Sequence, residues 1–274
     1  MKKVDLGGLA LEYEVTGDAE PVVFIHGALI ADSFRPMLED PAFADRFRCI
    51  TYHRRGYEAS THSPHPVSVA DQADDCRALL CALQIERAHV VGHSLGGVIA
   101  LKLAMDAPQL VRSLAVLEPA LVLGVNGAGY RAAIARNRDR YHGGDVEGTV
   151  DEFLRARFGP IYREYVERNL PGALEQAIRN AGNAFEVDMP PVADFGFSER
   201  EARTITQPVL VVLGAESDAL WPRFGETHRA LLAWLPHAES YVLPQATHAL
   251  QLQNPRDMAV ALAGFLSRNQ MRRS

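Results

Sequence analysis

The stretch His89–Ala100, HVVGHSLGGVIA, decides how the rest of the chain is read. A β-branched apolar run leads into Gly92-His93-Ser94-Leu95-Gly96, and small and aliphatic residues follow. A serine between two glycines, where a strand becomes a helix, has two readings. One is a tight turn with an incidental hydroxyl. The other is a nucleophile elbow, a strained turn that holds the hydroxyl exposed at the C-terminal edge of a sheet. The second reading explains both glycines, because neighbouring backbone would come too close for a Cβ. It also sets a helix N-terminus beneath Ser94, where partial positive charge favours a developing oxyanion.

The surrounding chain supplies the context that the elbow needs. Residues 4–15 alternate loosely around Gly7-Gly8 and read as a β-hairpin. Short apolar runs at 21–27, 47–53, 88–94, 113–119, 208–214 and 239–244 read as strands, several buried on both faces as in a parallel sheet. Between them lie segments of helical periodicity. In one, Val69, Ala73, Cys76, Leu79, Leu80 and Leu83 share a face, with Ser68 as N-cap and acids in the first turns. Residues 255–266 have the same periodicity. Strands alternating with helices indicate an α/β protein. From Leu121 to Ile205 the rhythm breaks into aromatic and aliphatic residues at helical spacing among many charges, which reads as a helical insertion between two strands.

Composition sets outer limits. The chain has 274 residues, formal net charge −6, 47% hydrophobic and 23% charged residues, which suits one large globular domain with an insertion. No basic patch marks a nucleic-acid footprint. Asp5, Glu12 and Glu14 interrupt what a signal peptide would keep apolar, and no window reaches the length of a membrane span. The three cysteines, Cys49, Cys76 and Cys81, lack metal-ligand spacing and read as reduced, buried thiols. The expectations are a cytoplasmic protein without metal or cofactor, with a small-molecule substrate as its partner, and either a monomer or a homodimer. The tail at 268–273 reads as a frayed C-terminus.

A serine hydroxyl needs a base. His248, just after the last expected strand, lies at the right sheet edge, and His93 reads as a packed spacer beside the nucleophile. The base needs a carboxylate to set its tautomer. Glu216 and Asp218 follow one strand, and Glu118 ends another. An oxyanion hole needs two backbone N–H donors. Leu95, directly after the serine, supplies one, and Ala28 supplies the other from the loop after Gly27, with Leu29 as an alternative.

These residues together resemble the α/β-hydrolase fold superfamily over nearly the whole chain. The resemblance rests on His26-Gly27 after an early strand, YHRRGYEAS at 52–60, the Gly92–Gly96 elbow, the order serine, acid, histidine, and ATH at 246–248 with Asn254-Pro255 downstream. It implies a mostly parallel eight-stranded sheet flanked by helices, with a core at 1–121 and 205–274 and a helical lid (cap) at 122–204. The lid aromatics Tyr130, Tyr141, Phe153, Phe158, Tyr162 and Phe185 become candidate pocket walls. The sequence departs from the family at Glu58, where a glycine is common, and in the acid loop. Asp218 stands one residue late after Gly214 but keeps the family spacing to Pro222, which favours it as the acid. Some members keep their acid one strand earlier, where Glu118 stands.

The expected chemistry is hydrolysis of small or medium carboxylic esters, or of related acyl or carbon–carbon bonds, by Ser94, His248 and an acid. The serine argues against the dehalogenases and epoxide hydrolases of the fold, which attack with an aspartate. A lyase, a cofactor-free oxygenase or perhydrolase, and a non-catalytic small-molecule receptor are the alternatives.

Overall fold

In a computed structural model, residues 1–44, 46–123 and 127–270 are described. Part of the expected insertion's start, at 124–126, and the end of the basic tail lie outside them. The eight strands are β1 (Lys2–Asp5), β2 (Ala10–Thr16), β3 (Pro21–Ile25), β4 (Arg48–Tyr52), β5 (Ala88–His93), β6 (Val111–Leu117), β7 (Val209–Gly214) and β8 (Ala238–Leu243). They form one sheet in the order β1-β2-β4-β3-β5-β6-β7-β8. The N-terminal hairpin pairs antiparallel, and β2 runs antiparallel to β4. From β4 to β8 every pairing is parallel.

Strand β3 illustrates why the parallel strands read as continuous apolar runs. Val22 and Phe24 pack on one face, against α13 (Pro255–Arg268). Val23 and Ile25 pack on the other, against α2 (Val69–Ala82) and α3 (Leu95–Asp106). Both faces are covered, so no polar alternation survives. Helix α2 begins with a reciprocal capping box between Ser68 and Asp71. Its inward stripe takes Cys76, Leu79 and Leu80, and Cys49 is also buried, but Cys81 is exposed. A position five residues after Cys76 lies well round the helix from that stripe, which corrects the expectation of three buried thiols.

Between β6 and β7 lie α4 (Gly127–His142), α5 (Val146–Phe158), α6 (Tyr162–Asn169), α7 (Ala173–Arg179), a π-helical turn (Asn183–Asp188), α8 (Met189–Ala193) and α9 (Glu199–Ala202). All but α9, whose Ala202 packs with the sheet, contribute to an apolar cluster that includes Ile134, Leu154, Tyr162 and Phe185 and reaches Leu29 and Ala249 in the sheet-edge loops. A buried polar joint fastens them to the sheet. Arg54 donates to Asp188 at 2.8 Å and to the Gly27 carbonyl at 3.0 Å, and Tyr57 donates to Asp188 at 2.7 Å. Glu58 takes φ +48°, the left-handed conformation that glycine adopts freely. Its carboxylate meets Asn180 at 3.1 Å and Arg179 at 3.5 Å, so the strained residue adds contacts to this helical segment. No helix among the described residues is long and apolar enough to cross a membrane.

Candidate active site

Because β3, β5, β6, β7 and β8 run parallel, the loops at their C-terminal ends share one edge of the sheet. Ser94 follows the central strand β5 and caps α3, with φ 54° and ψ −118°. Such a conformation costs a non-glycine residue about 1–3 kcal/mol and persists only where the surroundings over-determine it. Here its N–H donates to the Leu117 carbonyl at 2.9 Å, and its carbonyl accepts from Gly97 at 3.0 Å and Ala120 at 2.9 Å. A Cβ on Gly92 would strike the Gly96 carbonyl, and one on Gly96 would strike the carbonyls of Ile25 and His26. The two glycines are therefore required by close backbone approach.

His248 lies in the loop between β8 and the short helix α12 (Leu250–Gln253). Its Nε2 is 2.9 Å from Ser94 Oγ, and its Nδ1 is 2.6 Å from Glu118 Oε2. The other carboxylate oxygen of Glu118 accepts the Gly214 N–H at 2.7 Å. When Glu118 is ionised its carboxylate only accepts, which puts the imidazole proton on Nδ1 and leaves Nε2 free to accept from the serine hydroxyl. Phe224 stacks on the His248 ring at 4.2 Å and 17°. His93 lies 4.8 Å from that ring and bonds the His248 carbonyl through Nε2 at 2.9 Å.

Burial governs the protonation states. It holds His93 neutral, with its pKa lowered to about 3. It also depresses His248 well below the usual histidine value, and the nearby Arg157 and Arg223 guanidiniums reinforce this. The resting ring is therefore neutral, as a base must be. Burial pushes the Glu118 carboxyl up to about 7, against the lowering effect of Ser217 and of the Gly214 hydrogen bond.

The favoured acid, Asp218, is not at His248. It sits half-buried on α10 (Ser217–Leu220), with its carboxylate 3.7 Å from Arg229. No hydrogen bond or ion pair among the described residues joins it to His248. The reason lies in the chain path after β7. Ala215 and Glu216 donate to the carbonyls of Leu243 and Ala246 and so continue along the β8 loop, and Asp218 then points away toward α11 (Arg223–Trp234). Glu118 instead leaves β6 directly beside the elbow with φ 43°, fully buried.

Ala28 and Leu95 line a small cavity beside Ser94, of about 20 Å³. That is room for little more than one water. Neither N–H donates to an acceptor among the described residues. Leu29, the alternative donor, has φ 70° and its side chain packs in the helical cluster. Of the six candidate aromatics, Tyr130 and Phe153 face the cavity, Phe158 lies 6.1 Å from the His248 ring, and Tyr141, Tyr162 and Phe185 pack elsewhere in the helical core. The sequence reading missed Arg157, Met189, Trp221, Arg223 and Phe224, which complete the wall. Arg157 looks like one more charge on an amphipathic helix, and only its place in the fold turns it inward. A larger cleft of about 580 Å³, lined by Phe34, Arg35, Cys49 and His53, does not include Ser94.

The chain as a whole is similar to known proteins. Residues 20–171 match the model of the alpha/beta hydrolase fold family. The chain is 27% identical over 274 residues to a dihydrolipoyllysine-residue acetyltransferase component of the acetoin cleaving system from Pseudomonas putida, covering 98% of this chain and 70% of that protein. It is 27% identical over 275 residues to a putative carbamate hydrolase, RutD, from Pantoea ananatis, with 93% of each chain covered. A hydrolase structure from Pseudomonas aeruginosa superposes with TM-score 0.78 at 25% identity, covering 96% of this chain and 97% of that one.

Proposed function

From a chain that belongs to the alpha/beta hydrolase fold family, we propose a serine hydrolase that cleaves carboxylic esters or related acyl compounds through Ser94, His248 and Glu118. The observation that carries this reading is the continuous path from Ser94 Oγ to His248 Nε2 at 2.9 Å and from His248 Nδ1 to Glu118 at 2.6 Å. The Ser94 oxygen attacks the acyl carbon as its proton passes to Nε2. The resulting oxyanion takes hydrogen bonds from the Ala28 and Leu95 amides, which are otherwise unused. Nε2 then returns the proton to the leaving oxygen, giving an alcohol and an acyl-serine. Water enters and gives its proton to Nε2, and collapse of the second tetrahedral intermediate releases the acid and restores Ser94. Glu118 acts through His248 as a positioning residue that stabilises the imidazolium.

The helices between β6 and β7 serve in this reading as the lid, and they must move to admit a substrate larger than the 20 Å³ cavity. Hydrolase relatives agree with the reaction class, among them an uncharacterized carboxylesterase from Bacillus subtilis at 26% identity over 245 residues. The test is a fluorophosphonate probe followed by peptide mass analysis. Covalent labelling of Ser94 together with turnover of short 4-nitrophenyl esters is expected. A folded protein that is neither labelled nor active on those esters would overturn the reading.

A further inference from the structure

Three arginines lie almost wholly buried in or beside the site, and they are not alike. Arg54 is 1% exposed and faces the equally buried Asp188 at 2.8 Å. Arg157 and Arg223 are 6% and 5% exposed, and among the described residues no carboxylate is paired with either. Both line the cavity beside Ser94. Arg157 spends one donor on the Phe153 carbonyl at 2.9 Å and lies 3.6 Å over the Phe153 ring and 4.3 Å over Trp221. Arg223 lies 4.1 Å over Tyr130, whose hydroxyl also accepts from its guanidinium, and 5.4 Å from Trp221, and its Nη1 is buried without a partner among the described residues.

Aromatic faces return part of the hydration that a buried guanidinium loses, but they accept no hydrogen bonds in its plane. Burial and the neighbouring Arg223 push Arg157 down to about 9, so it still carries its charge at neutral pH. Two adjacent cations, one with a buried donor left unpartnered and neither with an anion among the described residues, form a receptor that lacks its counter-charge. The planar guanidinium fork matches a carboxylate, with two parallel donors meeting two oxygens.

We propose that Arg157 and Arg223 form a carboxylate subsite, so that the preferred substrates are acyl compounds bearing a free carboxylate a few bonds from the scissile carbonyl. The proposal rests on the serine-hydrolase reading for its reaction and on the two arginines for its specificity. The phenylalanine, tyrosine and tryptophan rings around the two cations lower the local dielectric, which strengthens their pull on an anion.

The test compares kcat/KM for 4-nitrophenyl hemisuccinate and its neutral near-isostere 4-nitrophenyl pentanoate, each corrected for spontaneous hydrolysis. The wild-type ratio should favour the hemisuccinate by about tenfold or more, and Arg157→Gln and Arg223→Gln should each lower that ratio by about tenfold. Arg223→Lys, which keeps the charge but not the fork, should fall between. A wild-type ratio at or below one, or a ratio unmoved in the glutamine variants, overturns the proposal. The second outcome would mean that the arginines serve the transition state of every ester alike. Should a glutamine variant misfold, inhibition of pentanoate hydrolysis in the wild type by succinate but not by succinamide supports the subsite, and equal inhibition or none removes it. Should no ester turn over and no probe label Ser94, the hydrolase reading fails on its own. Calorimetric binding of succinate to the wild type, lost in Arg223→Gln, then still supports the subsite, and absence of binding removes it.

Discussion

Two neighbouring loops of the sheet edge each offer a carboxylate to His248, and they differ in what surrounds it. After β6 the chain turns sharply at Glu118, whose side chain is fully buried and bonded to both His248 and the Gly214 amide. After β7 it continues beside β8, then turns outward into α10, so that Asp218 is half-exposed beside Arg229. A carboxylate that steadies a catalytic histidine must be dry and held at two points, and only the β6 loop provides this. Loop spacing alone pointed to the other one.

The largest effect is expected from removing the hydroxyl that His248 faces. Ser94→Gly should lower kcat by on the order of 10⁶-fold, as expected when the nucleophile of a concerted set is lost. Glycine relaxes the strained φ of 54°, so the same variant should also unfold at higher denaturant, by about 1–2 kcal/mol. Loss of stability would mean that the elbow is not strained.

A smaller effect sharpens the electrostatics around His248. Its pKa is depressed by burial and by Arg157 and Arg223, so kcat/KM for a neutral ester should stay level as pH falls through the ordinary histidine value and decline only below it. Arg223→Gln removes one of these cations and should move the decline toward higher pH. A wild-type decline centred at or above pH 6.5 would contradict the assignment.

Stability should follow the same histidines. His26, His93 and His248 are buried and neutral, with folded-state pKa values below their unfolded ones. Below about pH 6.5 the unfolded chain binds more protons, so each group can cost up to about 1.4 kcal/mol of stability per pH unit as acidity rises. His53 opposes this, because the Asp32 and Glu12 carboxylates outweigh its burial and raise its pKa, and Glu118 opposes it too, because burial pushes its carboxyl up to about 7. Urea midpoints at pH 7.5 and 5.5 should therefore show a net loss on acidification, and a gain would contradict the balance.

Much of this architecture could be read without coordinates because it is written locally. The buried strands are continuous apolar runs, α2 announces its start with Ser68 and Asp71, and the elbow needs its glycines within two residues of Ser94. The acid was harder, because Glu118 and His248 stand 130 residues apart and no local pattern records which strand end faces the histidine. The wall was harder still. Arg157 and Arg223 sit in segments rich in charge, and their burial follows only from how α5 and α11 pack over the sheet edge.

The measurement that bears most directly on the account is kcat for Glu118→Gln set beside Asp218→Asn, on one ester and with both proteins shown to be folded. The account predicts a loss of about 10²–10⁴-fold for Glu118→Gln, since an amide at that site favours the wrong histidine tautomer, and less than about threefold for Asp218→Asn. A large loss in Asp218→Asn with near-normal turnover in Glu118→Gln would contradict it.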